Sequence, residues 1–94
     1  MEKKIIKTVI DYLTKNGAKK ISIFGSRSKG TETPDSDMDL LVEFSNKPTF
    51  LKIIKIEREL SEMTGIKIDL LTEKAISPFL IDKIKNEAQS IYTL

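Results

Sequence analysis

The segment from residue 37 to residue 44 alternates between two kinds of side chain. Every even-numbered position is apolar, whereas the odd-numbered positions carry three acids and one leucine. Because successive side chains of a β-strand point to opposite faces, this pattern predicts a strand with one core face and one face that carries carboxylates. The core-face residues are Met38, Leu40, Val42 and Phe44. The chain is therefore expected to build a sheet with one buried face and one open face.

Apolar residues recur at helical spacing both before and after this strand. Asn16-Gly17 and Gly65 follow two of these segments and are typical of helix ends. The predicted elements are a helix over about 2–16, strands over 20–24 and 38–44, a helix over about 49–64, a strand over 66–71 and a last helix starting at Ser77-Pro78. This order, α-β-β-α-β-α, predicts an α/β (α+β) fold in which helices pack on one face of a small mixed sheet. At 94 residues, we expect a single domain over 1–94.

The amino-acid composition limits the kinds of catalysis that the chain can carry out. The chain has no cysteine and no histidine, so thiolate chemistry and histidine general bases are excluded and catalysis must rest on carboxylates, hydroxyls, lysines and arginines. A net charge of +2 is too small to predict a nucleic-acid binder. Apolar runs fall short of the roughly 18 residues that a membrane span needs. We therefore expect a cytoplasmic domain without a membrane partner.

Three aspartates are candidates for a metal site. Asp37 and Asp39 lie two residues apart on one strand, about 6.5 Å at the backbone, so their side chains can converge on one cation. Asp69 has the opposite parity to Ile68 and Leu70 and can stand on the same open face. Oxygen ligands favour Mg²⁺ or Mn²⁺, and a third carboxylate can orient or deprotonate a hydroxyl. The alternative is that Asp35 and Asp37 are turn residues after Pro34 and that Asp69 is a solvated acid on an edge strand.

A glycine-rich loop precedes the carboxylates. Two glycines enclose two hydroxyls and two cations directly after a strand, where backbone N–H groups can bind phosphate. The loop residues in question are Gly25, Ser26, Arg27, Lys29 and Gly30. It is not a Walker A loop, because Thr31-Glu32 follows the second glycine instead of Lys-Ser or Lys-Thr. Taken alone, the loop is also compatible with an ordinary turn.

The loop and the carboxylates together resemble a known signature. The string Phe24-Gly25-Ser26 to Gly30-Thr31, followed by Asp35-Ser36-Asp37-Met38-Asp39-Leu40, is similar to that of the DNA polymerase beta-like nucleotidyltransferases. The short length and the segment Ile68-Asp69-Leu70-Leu71 followed by Ser77-Pro78 resemble the minimal nucleotidyltransferases, or MNT, over essentially the whole chain. The resemblance implies the nucleotidyltransferase fold.

The resemblance also implies roles for individual residues. Asp37 and Asp39 would be metal ligands, and Asp69 would be the third catalytic carboxylate at the metal. The loop would contact the triphosphate through Gly25, Ser26 and Gly30, with Arg27 and Lys29 as further phosphate contacts. Many relatives have Ala then Arg where this chain has Ser28 and Lys29. Lys29 keeps the positive charge and loses the planar, bidentate geometry of a guanidinium.

MNT proteins pair with a HEPN toxin encoded nearby, so the resemblance implies an antitoxin that transfers AMP from ATP to a tyrosine hydroxyl of that partner. Two alternatives remain open from the sequence. One is an antitoxin that neutralises its partner by binding alone, and the other is a transferase whose acceptor is RNA or a small molecule. Transferases of this second kind carry added domains that this chain is not expected to have. Substituting Asp39 with asparagine would distinguish the binding-only antitoxin from the enzyme, because the amide weakens metal binding and leaves the surface nearly unchanged.

The remaining charged and aromatic residues are predicted to have structural roles. The interspersed lysines of the first helix indicate a solvated face instead of an RNA-binding patch. These are Lys3, Lys4, Lys7 and Lys15. The aromatic residues are scattered along the chain and are predicted to pack in or against the core instead of stacking on bases. They include Tyr12, Phe50, Phe79 and Tyr92.

Overall fold

The computed structural model describes residues 3–25 and 37–94. In chain order the elements are α1 (Lys3–Lys15), β1 (Ala18–Phe24), β2 (Met38–Phe44), α2 (Phe50–Thr64), β3 (Ile68–Leu71), a 3-10 helix (Glu73–Ala75), α3 (Pro78–Glu87) and β4 (Gln89–Thr93). The α/β fold class and the six predicted elements are confirmed. A fourth strand, β4, closes the chain where the sequence indicated only a tail.

The four strands form one mixed sheet in the order β3-β2-β1-β4. β1 pairs antiparallel with both β2 and β4, whereas β2 and β3 are parallel. The connection between β2 and β3 contains α2, as the crossover between parallel strands requires. The parallel pair places Asp39 opposite Asp69, and the antiparallel pair places Phe24 opposite Asp39.

The core lies between the sheet and two helices. α1 contributes Val9 and Leu13, and α2 contributes Ile56 and Leu60, all buried. The sheet contributes the side chains of one face: Ile21, Ile23, Met38, Leu40, Val42, Ile68 and Leu70. The alternation between residues 37 and 44 therefore predicted the core face correctly. The lysines predicted to form a solvated face of α1 are all exposed.

The ends of the elements follow their local chemistry. Thr49 caps α2 by accepting a hydrogen bond from the Lys52 backbone N–H at 3.2 Å, and Gly65 ends the helix with a left-handed φ of 71°. Two strands begin away from the predicted positions. β1 starts at Ala18 because Ala18 pairs with Phe44, and β3 starts only at Ile68 because residues 64–66 form a side-chain turn.

The prediction that the aromatic residues pack is confirmed for two and wrong for two. Tyr12 and Tyr92 are partly buried against the core. Phe50 is 74% exposed and Phe79 is 94% exposed. Phe50 begins α2, ahead of its buried residues Ile56 and Leu60, and Phe79 lies in α3, of which no residue is buried.

The third helix differs from the other two in its packing. All ten residues of α3 are described, and none of them is buried. Its C-terminal part borders the open face of the sheet, because Lys85 and Ala88 line one cavity together with Ser22 and Leu41. Across the described part of the chain, the model contains no helix whose length and apolar character would suit a membrane crossing.

Candidate active site

Asp39 and Asp69 meet on the open face of the sheet. They are paired in register on the adjacent parallel strands β2 and β3. Their neighbours along each strand, Met38 and Leu40 in β2 and Ile68 in β3, point into the core, so both carboxyl groups project from the opposite face. The two side chains share a hydrogen bond. The parity predicted for Asp69 therefore matches its position in the fold.

The surroundings of Asp39 raise its pKa from 3.8 to about 6. Desolvation of the half-buried carboxyl is the largest cause, because burial disfavours the charged form. The charge of Asp69, the hydrogen bond that Asp69 shares, and the charge of Asp37 act in the same direction. Ionisation of Asp39 is therefore less favourable in the folded protein than in water, and a nearby positive charge would offset that cost.

Asp37 stands just before β2 and is tied to the start of β3. Its Oδ2 lies 3.9 Å from Nζ of Lys67, and the Met38 N–H donates to the Lys67 carbonyl at 2.9 Å. Both ionic side chains are substantially exposed, so this ion pair is worth about 0–1 kcal/mol at most and is easily exchanged for another cation. Lys67 is not among the site residues predicted from the sequence.

A preformed cage of three acids is not present within residues 3–25 and 37–94. Asp39 and Asp69 are in direct contact, and Asp37 acts on Asp39 through its charge while its carboxylate faces Lys67. The donors that these residues offer are all carboxylate oxygens. This set suits a hard divalent cation such as Mg²⁺, which binds through one or two carboxylates and takes its other ligands from substrate phosphates and water.

Gly25 packs directly against the site. It follows β1 with a φ of 78°, a left-handed conformation that favours glycine. A Cβ at this position would lie 2.5 Å from Oδ2 of Asp39, too close for a real contact. Glycine therefore serves both the turn and the position of the carboxylate. The other predicted phosphate contacts, Ser26, Arg27, Lys29 and Gly30, lie outside the described residues.

A cavity of about 290 Å³ lies on the open face, and none of the three aspartates is among its lining residues. Leu41 and Ser22, which line it, are each two residues along their strands from Asp39 and from its partner Phe24. The charged and polar lining residues include Lys20, Ser22, Glu43, Glu73, Lys85 and Ser90. Lys85 Nζ lies 2.9 Å from Glu73 Oε1, so the charges here are balanced. A second cavity, of about 340 Å³, lies at the other end of β2 and is remote from the aspartates.

Comparison with known proteins places this arrangement in a family. Residues 3–91 match the model of the nucleotidyltransferase domain. A relative from Methanocaldococcus jannaschii, named "Putative protein adenylyltransferase", is 39% identical over 87 residues, which is 93% of this chain and 94% of the relative. The match thus covers nearly the whole of both chains.

Two solved structures show the same fold. One, described as a toxin-antitoxin with AMP-PNP, superposes with a TM-score of 0.85 at 21% identity and covers 95% of this chain and 73% of that chain. The other is the tri-AMPylated Shewanella oneidensis HEPN toxin in complex with MNT antitoxin. It has a TM-score of 0.80 at 18% identity and covers 100% of this chain and 74% of that chain. At these identities the likeness establishes the fold.

Proposed function

The chain belongs to the nucleotidyltransferase domain family, and on that premise we propose that it transfers AMP from ATP to a hydroxyl group of a partner HEPN toxin. The observation that carries the proposal is the pair of carboxylates, Asp39 and Asp69, held in register on the open face of the sheet. An arrangement that raises the pKa of Asp39 to about 6 opposes folding at neutral pH in the absence of a cation and suits a site that receives one.

A divalent cation fits the residues present. Asp37, Asp39 and Asp69 would hold Mg²⁺ or Mn²⁺, with Asp37 leaving Lys67 to do so. When bound, the cation neutralises charge on the phosphate oxygens of ATP. The fit rests on the donor chemistry, which is all oxygen, and on the unfavourable contact of Asp39 with Asp69 that a positive charge would relieve.

The carboxylates also act on the hydroxyl group of the acceptor. Asp69, the carboxylate on the edge strand, orients the acceptor hydroxyl and takes its proton. The hydroxyl oxygen forms a bond to the α-phosphorus of ATP, the bond from that phosphorus to the bridging oxygen breaks, and pyrophosphate leaves. A tyrosine hydroxyl suits this role, because its pKa of about 10 makes it easier to deprotonate than an aliphatic hydroxyl.

The relatives support the choice of the two substrates. The Methanocaldococcus relative is named for protein adenylylation, one solved structure contains AMP-PNP, and another pairs an MNT antitoxin with an AMPylated HEPN toxin. These support ATP as donor and a HEPN protein as acceptor. The open-face cavity, whose lining on β2 begins two residues from Asp39, would receive the acceptor side chain. At about 290 Å³ it is at the small end of ligand pockets and fits a side chain better than a whole nucleotide.

The experiment combines the purified protein with a HEPN-family protein from the same genome, ATP and Mg²⁺, and records the intact mass of both proteins. We expect the HEPN protein to gain the mass of AMP with the wild type and not with Asp39→Asn. Asp11→Asn is the matched control, because Asp11 is an exposed aspartate on α1 away from the sheet. Chelation of the divalent cation should abolish the gain.

A different outcome would identify a binding-only antitoxin. The specific feature that favours this second candidate is the set of exposed apolar side chains on the helices, among them Phe50, Leu51 and Phe79. If the two proteins bind tightly and neither gains mass with wild type or variant, the transfer proposal fails for this pair and neutralisation by binding becomes the leading account.

A further inference from the structure

β3 carries Asp69 and lies at the edge of the described sheet, next to β2. An edge strand leaves a row of backbone N–H and C=O groups without a partner strand. In a strand these groups alternate in direction, so the N–H groups of Ile68 and Leu70 point to the side away from that of Asp69. The position of Asp69 therefore depends on what holds the outer edge of β3 as well as on the pairing of β3 with β2.

Two side chains of α2 hold that edge. The Ser61 Oγ accepts a hydrogen bond from the Ile68 N–H at 2.9 Å, and the Glu57 Oε2 accepts one from the Leu70 N–H at 2.8 Å. The Ser61 hydroxyl in turn donates to the Glu57 carbonyl at 2.9 Å. Both acceptors are half-buried, which limits competition from water.

The geometry of the two elements makes this match possible. Residues four apart on a helix share a face and are about 6 Å apart along its axis. Residues two apart on a strand are about 6.6 Å apart. Glu57 and Ser61 are thus spaced to meet Leu70 and Ile68, and Asp69 lies between the two anchored amides.

We propose that Glu57 and Ser61 are positioning residues that fix β3 in the register that sets the Asp69 carboxylate opposite Asp39. The proposal rests on the proposed function in so far as Asp69 takes part in the transfer. Apolar packing of α2 on the sheet is non-directional and does not define register by itself. A slip of β3 by one residue would turn Asp69 into the core, and a slip by two would carry it about 6.6 Å from Asp39.

The variants that test this are Glu57→Ala, Glu57→Gln and Ser61→Ala, with Glu62→Ala as the control because Glu62 is exposed on the same helix. Three quantities are measured well below the unfolding midpoint of each variant. They are hydrogen exchange at the Leu70 amide, affinity for Mg²⁺ by calorimetry, and kcat and KM for AMP transfer.

We expect Glu57→Ala to speed exchange at Leu70 and to lower both kcat and Mg²⁺ affinity by roughly ten-fold, the size of effect seen when groups that support metal ligands are removed. KM for ATP should stay within about two-fold, since Glu57 does not reach the substrate and the loss is one of orientation. Glu57→Gln keeps an oxygen acceptor and should restore all three quantities. Glu62→Ala should behave as wild type.

The inference is overturned if Glu57→Ala speeds exchange at Leu70 while kcat and Mg²⁺ affinity stay at wild-type values, because Glu57 then serves folding alone. Should Glu57→Ala fail to fold, Ser61→Ala decides the matter by the same readouts at the Ile68 amide. If the wild type itself transfers no AMP, the proposed function fails, and the exchange and Mg²⁺ measurements still decide whether the two residues position Asp69.

Discussion

The two faces of the sheet share the same strands and differ in what holds their side chains in place. On the core face, Met38, Leu40 and Val42 are at most 1% exposed, and burial of each such side chain contributes about 1.5–3 kcal/mol. On the open face, Asp39 contacts Asp69 at the cost of a raised pKa. One face therefore stabilises the fold, and the other uses that stability to keep two like charges together.

The largest expected effect on stability comes from the core face. Leu40→Ala removes a fully buried side chain between two open-face positions and should lower the free energy of unfolding by about 2–5 kcal/mol. Urea denaturation measures the loss. A change below about 1 kcal/mol would mean that the core collapses around the cavity and that the two faces differ less than the burial indicates.

Gly25→Ala should damage the open face with a smaller effect on the fold. The added Cβ would lie 2.5 Å from Oδ2 of Asp39, so the carboxylate must move, and AMP transfer should fall by about ten-fold or more. The free energy of unfolding should fall by roughly 1 kcal/mol because of the left-handed φ.

Gly65→Ala is the matched control for this substitution. Its φ of 71° is similar, and no atom of the described chain lies within 4 Å of the added Cβ. We expect the same loss of stability with unchanged transfer. Equal transfer rates for the two variants would show that the close approach of Gly25 to Asp39 does not affect AMP transfer.

Filling the open-face cavity should affect binding of the acceptor alone. Ser90→Trp places a ring in the open-face cavity and should raise KM for the acceptor several-fold while KM for ATP is unchanged. Lys47→Trp places the same ring in the cavity at the far end of β2 and serves as the control. An equal rise in KM for the acceptor in both variants would show that the open-face cavity does not bind the acceptor.

The smallest expected effect is on the pH dependence of stability. The folded-state pKa of Asp39, about 6, lies above its ordinary value of 3.8, so the folded protein binds more protons than the unfolded chain in that range. Without a divalent cation, stability should therefore fall as pH rises from about 4 to 6 and level off above it. Asp39→Asn should remove this dependence of stability on pH, which is measured by thermal unfolding across the same pH range. Mg²⁺ affinity should weaken below about pH 6.

The sequence predicted much of the site because alternation along a strand is local. The parity of residues 37–44 was enough to place Asp39 opposite the core, and the parity of Asp69 against Ile68 did the same for β3. Contacts that join distant segments could not be obtained this way. The bond from Leu70 to Glu57 spans thirteen residues, and the ion pair of Asp37 with Lys67 depends on the strand pairing.

The missed strand and the exposed aromatics have a similar explanation. β4 has only Ile91 and Tyr92 as apolar residues, and its stability comes from pairing with β1 at the other end of the chain. Phe79 follows a helix-starting Ser-Pro, and that local signal predicts where α3 begins but not which of its residues the core covers. Burial depends on the assembled layers, which a local pattern does not describe.

The central claim is that Asp39 serves the reaction and not the fold. It is tested by measuring the AMP-transfer rate of Asp39→Asn on a preparation whose free energy of unfolding is determined in urea without divalent cation. We predict that transfer falls by at least about a hundred-fold while the free energy of unfolding is unchanged or higher, because a half-buried charge beside Asp69 is removed. A variant that still transfers AMP, or that loses activity only in proportion to lost stability, would contradict the account.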